Sequence, residues 1–359
     1  MRIAILGTRG IPAAYGGFET FAEELSIRLA QRGHAVTVYC RDRHDCRRYR
    51  GVALVYLPTI RHKYLDTLAH TFVSTLWLLT HRADVALYCN AANAIFTIAP
   101  RLLGIPVALN VDGIERRRKK WNLLAKSWYL ISEFLATILP SAIVSDAETI
   151  ERYYLERYRK PSTFIPYGAD LEVARADEAL QRLGLDKRRY FLYVSRLEPE
   201  NHALEVREAF ESVETDLKLA IVGDAPYATE YIGRVRDTRD PRVVVPGAIY
   251  GQGYRELGTF CFAYIQATEV GGTHPALLEA MGRGALVLYR NNPENNEVCG
   301  SAGIPFEGRE DLADKIRFVL AMPEEERETY RRRAIERVQE RYSWDAVTSR
   351  YERLFDSLV

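Results

Sequence analysis

Two glycine pairs stand where backbone amides could hold a phosphate: Gly16-Gly17 in IPAAYGGFET and Gly271-Gly272 in VGGTHPALLEAMGRG. Each lies between an apolar, strand-like run and an amphipathic helix. A strand, glycine turn and helix in succession aim N–H groups at whatever sits above the helix start, and the helix dipole makes that end positive. Adjacent glycines also let a ligand approach the backbone closely, although a plain turn would use them too. Two such ends, one in each half of the chain, suit a ligand with a phosphate bridge held across a cleft, as in a nucleotide-sugar.

Other candidates cluster where strands should end. In the first half these are Arg9 in Gly7-Thr8-Arg9-Gly10, Tyr15 in the glycine loop, Asn90, and Asp112 with Glu115 and Arg116. In the second half Ser195-Arg196 ends a strand with a cation, which can grip a diphosphate through two parallel hydrogen bonds or form a surface ion pair. Gly223-Asp224 ends the next strand and could face a nucleobase or cap a helix. Pro275 near a first helical position, with Thr273 or His274 near the cap, marks another helix start. Leu278 and Glu279 follow one turn in, and the Glu279 carboxylate could accept two ribose hydroxyls or simply be solvated. The run Arg116-Arg117-Arg118-Lys119-Lys120-Trp121 precedes an aromatic helix; it suits an anionic membrane or a lipid diphosphate, or is a solvated helix start.

The elements that must position these residues alternate. Strand runs at Ile3–Leu6, Val36–Tyr39, Ala53–Leu57, Val85–Tyr88, Val107–Asn110 and Ala142–Ser145 are separated by helical spacings. One helix carries Leu65, Leu68, Phe72, Leu76 and Leu79; another runs from about Leu123 to Leu139. The pattern restarts after Ile165-Pro166-Tyr167-Gly168-Ala169-Asp170, with strands at Phe191–Val194, Leu217–Val222, Val243–Val245, Cys261–Gln266 and Ala285–Tyr289. This predicts an α/β protein with two doubly wound, Rossmann-like domains and a linker near residues 165–180. Trp344, Val347, Tyr351, Leu354 and Leu358 recur at helical spacing and predict a terminal helix that crosses back to the first domain. The expected division is 1–168, 169–342 and 343–359.

Composition narrows the function. With 359 residues, 47% apolar and 27% charged, the chain can build two cores. A net charge of +1 predicts no bulk attraction to nucleic acid. The five cysteines have no metal-ligand spacing and read as reduced thiols of a cytoplasmic protein, at most peripheral on a membrane. The first turn lacks the G-x-G-x-x-G of a dehydrogenase. No D-x-D follows a strand, so neutralisation of a leaving diphosphate is expected from Arg196 and backbone amides, with neither metal nor cofactor.

Taken together, the Gly16-Gly17 loop with Glu19, the Ile165–Asp170 linker, Ser195-Arg196-Leu197, Ile221-Val222-Gly223-Asp224, Leu277-Leu278-Glu279-Ala280-Met281 and Tyr342-Ser343-Trp344 resemble the retaining glycosyltransferases of family four, which have the GT-B fold. The resemblance covers nearly the whole chain. GTRGIPAAYGGFET, VDGIERRRKKW and RLEPEN look like its rhamnosyltransferase-like branch. That branch implies dTDP-L-rhamnose as donor, a lipid-diphosphate-linked sugar or other saccharide as acceptor, and a role in bacterial surface polysaccharide synthesis. UDP- or GDP-sugars, an epimerase or hydrolase, and a non-catalytic scaffold are the alternatives.

The resemblance implies a donor site of Gly16, Gly17, Arg196, Gly223, Gly272, Thr273, His274, Leu278 and Glu279. It implies an acceptor site of Arg9, Tyr15, Asp112, Glu115 and Arg116, with Asp112, Arg196 and Glu279 carrying the chemistry. Two departures stand out. The wider family has a first glutamate at the position of Gly271, and a lysine where this chain has Asn201. Glu269 is near that first position but out of register.

Overall fold

The computed structural model describes residues 1–13, 16–43, 46–62, 65–118, 122–225 and 228–359. The chain forms two compact units. The first comprises Met1–Tyr167, Gly271–Thr273 and Trp344–Val359, and the second Gly168–Val270 and His274–Ser343.

The first unit's strands are β1 (Arg2–Leu6), β2 (Ala35–Cys40), β3 (Arg48–Tyr49), β4 (Val52–Tyr56), β5 (Val85–Cys89), β6 (Val107–Asn110), β7 (Ala142–Ser145) and β8 (Thr163–Phe164). They form one sheet in the order β3-β4-β2-β1-β5-β6-β7-β8. Only β3 runs antiparallel to its neighbour. Its helices are α1 (Gly17–Gln31), α2 (Asp66–Thr80), α3 (Ile98–Leu102), α4 (Leu123–Ala136) and α5 (Glu148–Tyr158). β5 and β6 are buried throughout, as parallel strands covered on both faces must be.

The second unit holds a six-stranded sheet, β11-β10-β9-β12-β13-β14. Its strands are β9 (Tyr190–Val194), β10 (Lys218–Val222), β11 (Val243–Gly247), β12 (Ala263–Gln266), β13 (Leu286–Arg290) and β14 (Gly303–Phe306), all parallel. Helices α6 (Glu178–Leu183), α7 (Ala203–Glu211), α8 (Thr229–Arg236), α9 (Gly251–Phe260), α10 (Pro275–Gly282), α11 (Pro293–Cys299), α12 (Arg309–Ala321) and α13 (Glu324–Arg341) cover it. The final helix, α14 (Trp344–Leu358), belongs to the first unit and packs on α1. Two Rossmann-like parallel sheets with a returning terminal helix are the GT-B architecture.

Sheet order locates the ligand rim. The chain reverses its direction of winding between β1 and β5 in the first unit and between β9 and β12 in the second. Open α/β sheets bind ligands outside the carboxyl ends of the strands at such points.

The structure adds edge strands that the sequence pattern does not predict. β14 reads GIPF, and its glycine and exposed Pro305 disguise a strand that only a sheet edge tolerates. β3 and β8 are two residues each, too short for any alternation to show. α4 stops at Ala136 rather than Leu139, because Pro140 disfavours helix at the residue before it.

Candidate active site

In the first unit the rim is built from the turns after β1, β6 and β7. Glu19, in the first turn of α1, is buried and accepts the Arg9 N–H at 2.9 Å. That bond ties the turn after β1 to the helix that Gly16 and Gly17 begin. The Arg9 guanidinium lies 3.8 Å from Asp66, which is also held by Arg41 at 2.8 Å. Tyr15 and the Lys119–Trp121 portion of the basic run lie outside the described residues.

Asp112 sits just beyond β6 in a left-handed conformation, φ 55°. Its N–H donates to Asn110 Oδ1 at 3.0 Å, and Asn110 Nδ2 donates to the Tyr351 hydroxyl at 3.0 Å. Tyr351 belongs to α14, so the returning helix steadies the turn that carries Asp112. Tyr351 also packs on Phe21, with ring centroids 5.5 Å apart. The Tyr167 hydroxyl reaches Asp112 Oδ1 at 3.5 Å. Burial, then the neighbouring Glu115 carboxylate, push the Asp112 carboxyl above the usual carboxylate range, against the opposing charge of Arg118. Glu115 itself pairs with Arg118 at 2.5 Å, both side chains being buried. Arg116 turns away from this group: its Nε is 3.0 Å from a Glu133 oxygen and its Nη2 2.8 Å from the Tyr153 hydroxyl.

Gly271, Gly272 and Thr273 lie in the first unit beside Asp146, a residue the sequence reading missed. Thr273 N–H donates to Asp146 Oδ2 at 2.8 Å, and the Thr273 hydroxyl donates to the Asp146 carbonyl. A Cβ on Gly272 would stand 2.2 Å from Asp146 Oδ2, so the glycine is required by a carboxylate of the protein itself. The Thr273 amide, expected to face a donor phosphate, is committed here to Asp146. Asp146 ends β7 as Asp112 follows β6, so the strand-end rule that selected Asp112 selects Asp146 as well.

In the second unit Arg196 follows β9 on the rim, 3.9 Å from Glu198. Its loop is pinned by Ser195 N–H to the Val222 carbonyl and by Asn201 Nδ2 to the Arg196 carbonyl, at 3.1 and 2.7 Å. Gly223 has φ 152°, and a Cβ there would fall 1.8 Å from the Ser195 carbonyl oxygen. No other residue fits, and the turns after β9 and β10 therefore nest. Asn201, where the wider family has lysine, serves as a loop tie.

Glu269 meets His202 Nε2 at 3.1 Å, while His202 Nδ1 meets Glu205 at 2.8 Å. Glu205 is partly buried, which raises its pKa. His202 and the Arg290 guanidinium outweigh this and hold the carboxyl below its ordinary value. His274 is the N-terminal cap position of α10, with Pro275 first in the helix. Leu278 is fully buried and packs inward. Glu279 lies 3.5 Å from Arg283, whose guanidinium stacks over Tyr254 at 5.0 Å. Among the described residues, no group of three His, Cys, Asp or Glu side chains is arranged to hold a metal ion.

Comparison with known proteins decides what this rim belongs to. Residues 15–173 match the profile of Glycosyltransferase Family 4, and residues 202–353 match that of a glycosyl transferase-like family. The chain belongs to glycosyltransferase family four. This transferase is 24% identical to alpha-monoglucosyldiacylglycerol synthase of Streptococcus pneumoniae over 90% of this chain and 79% of the relative. It shares its fold with sucrose-phosphate synthase from Thermosynechococcus elongatus, at TM-score 0.81 and 19% identity over 99% and 98% of the two chains. Anabaena HepE, solved with UDP and glucose, superposes equally well, at TM-score 0.81 and 16% identity over the whole of both chains. The two sheets of this transferase are those of GT-B enzymes.

Proposed function

We propose that this transferase moves L-rhamnose from dTDP-L-rhamnose to a lipid-diphosphate-linked saccharide at the inner face of a bacterial membrane. The donor assignment rests on GTRGIPAAYGGFET, VDGIERRRKKW and RLEPEN. A UDP-sugar is the alternative donor, because HepE binds UDP-glucose. The observation that carries the lipid acceptor is the outward apolar face of the first unit. Phe72, Leu76 and Trp77 of α2, and Leu123, Leu124, Leu130, Ile131 and Phe134 of α4, are exposed. These helices and α3 pack around the short helical turn at Ala91–Thr97. α4 also packs on the turn carrying Glu115. A face of this kind seats an enzyme on lipid, and the relative in Streptococcus is named for a diacylglycerol product.

In this reading Arg196 and the amides of Gly272 and His274 take the diphosphate, and Glu279 takes the ribose. Gly16 and Gly17 approach the phosphate, Asp112 orients a hydroxyl of the reacting sugars, and no metal is used. The bond from the anomeric carbon to the diphosphate breaks, and the acceptor oxygen bonds to the same face. The acceptor proton passes to the departing phosphate oxygen, so configuration is retained.

The test is transfer from dTDP-rhamnose, UDP-glucose and GDP-mannose to a lipid-diphosphate sugar, with and without chelator. Acceptor-dependent transfer from dTDP-rhamnose, unchanged by chelator, is expected. Transfer from another donor alone would replace the sugar assignment. Acceptor-independent turnover would replace the transfer reaction itself.

A further inference from the structure

Asp146 is wholly buried at the end of β7. Its Oδ2 and its main-chain carbonyl are both occupied by Thr273. Its Oδ1 is buried without a donor among the described residues. β6 and β7 are neighbouring parallel strands with Asn110 opposite Val144, so Asp112 and Asp146, each two residues further on, stand side by side beyond the strand ends, and each carboxyl bears on the other's titration. Two ionised carboxylates cannot share such a place: neither brings a hydrogen, and their charges repel strongly away from water. One proton between them satisfies the orphan oxygen and removes the repulsion. Aspartic-protease carboxyl pairs solve the same problem in this way.

We propose that Asp146 is a positioning residue of the transferase, sharing one proton with Asp112 so that the pair fixes both the Asp112 carboxylate and the Gly271–Thr273 turn for reaction. Oδ1 of Asp146 carries the hydrogen and donates it to Asp112, while Oδ2 receives the Thr273 N–H.

Burial, then Asp112, push the Asp146 carboxyl well above its ordinary range, consistent with a retained proton. The other titratable groups around the pair do not compete for it. Glu115 is paired with Arg118 in the turn after β6. Cys89 of β5, Tyr129 of α4, Tyr167 and Tyr351 of α14 are all pushed up by burial and stay neutral. Glu19 of α1 is held by the Arg9 amide.

The test compares D146A and D146N with wild type, in transfer kinetics and in thermal stability, across pH. The kinetic arm rests on the transfer reading above; the stability arm does not. D146A, checked for folding by circular dichroism, should lower kcat by about ten- to a hundredfold with acceptor KM within about twofold, as expected for one buried group left unmatched. D146N donates to Asp112 without titrating, so it should recover most of that loss and hold its rate to higher pH than wild type.

A carboxyl whose folded-state pKa is raised stabilises below its unfolded value and loses that contribution as pH rises through the folded one. The wild-type Tm should accordingly fall relative to D146N over that rise. If D146N is as slow as D146A, or if its rate and Tm profiles overlay wild type, the proposal is overturned. If no protein transfers sugar but the Tm profiles diverge as stated, the shared proton stands and the substrate assignment fails.

Discussion

α14 and α4 have the same apolar periodicity in sequence and opposite orientations in the fold. α14 turns Trp344, Val347, Tyr351 and Phe355 into the first unit. α4 buries Tyr129, Ser132, Glu133 and Ala136 and leaves Leu123, Leu124, Ile131 and Phe134 outside. α2 follows α4: it buries His70, Thr71, Ser74 and Thr75, and exposes Phe72, Leu76 and Trp77. Two of these buried polar side chains have partners close by. Thr75 meets the Tyr88 hydroxyl at 2.9 Å, and Glu133 accepts from Tyr153 and Tyr158 at 2.7 and 3.0 Å. Period tells which residues share a helix face, but not whether that face meets the protein or something outside it. The inward helix holds the turn that carries Asp112 through Tyr351. The outward ones form a surface.

The largest test of this contrast is Phe355→Ala. The ring is fully buried, so its loss should cost about 3–5 kcal/mol of stability, read by denaturant unfolding. A cost below about 1 kcal/mol would mean that α14 does not pack as described. The polar side of α2 gives the next effect. Burial, then the charge of Arg41, lower the His70 pKa from 6.5 to about 4. Above 6.5 the imidazole is neutral in both folded and unfolded chains, and stability is full. As pH drops from there through about 4, the unfolded chain takes up the proton first, and about 3 kcal/mol is lost. His70→Gln should remove most of that acid dependence. An unchanged pH slope would place His70 in water and break the inverted orientation of α2.

Much of the candidate rim was legible because its residues lie at strand ends, where composition and order suffice. Gly16-Gly17, Arg196, Gly223 and Asp112 all fall on the rim that the sheet topology defines. Asp146 was not legible, because its meaning comes from Thr273, far away in sequence. The partners of Arg116 were hidden for the same reason: Glu133 and Tyr153 reach it from α4 and α5. Gly272 was read as room for a ligand, and the room is filled by a carboxylate of the chain. The edge strand β14 was obscured by Pro305, which is a signal of an edge only once a sheet is known.

The smallest effect on stability separates the two faces most sharply. Leu130 and Phe134 of α4 are 42% and 54% exposed, and substituting both with serine should change unfolding free energy by less than about 1 kcal/mol. The same change should weaken binding to vesicles of phosphatidylglycerol and phosphatidylcholine by about tenfold or more, since two apolar side chains no longer enter the lipid. Anionic vesicles should bind better than neutral ones. Of the acids on α2 and α4, Asp66 is tied to Arg41 and Glu133 is buried, whereas Lys126 is half-buried and, on α3, Arg101 is exposed. Vesicle binding that survives both serines would sink the membrane assignment. Loss of a dimer in the same variant would give this face to a second copy of the chain, and α4 would then resemble α14 after all, with its protein partner in another molecule.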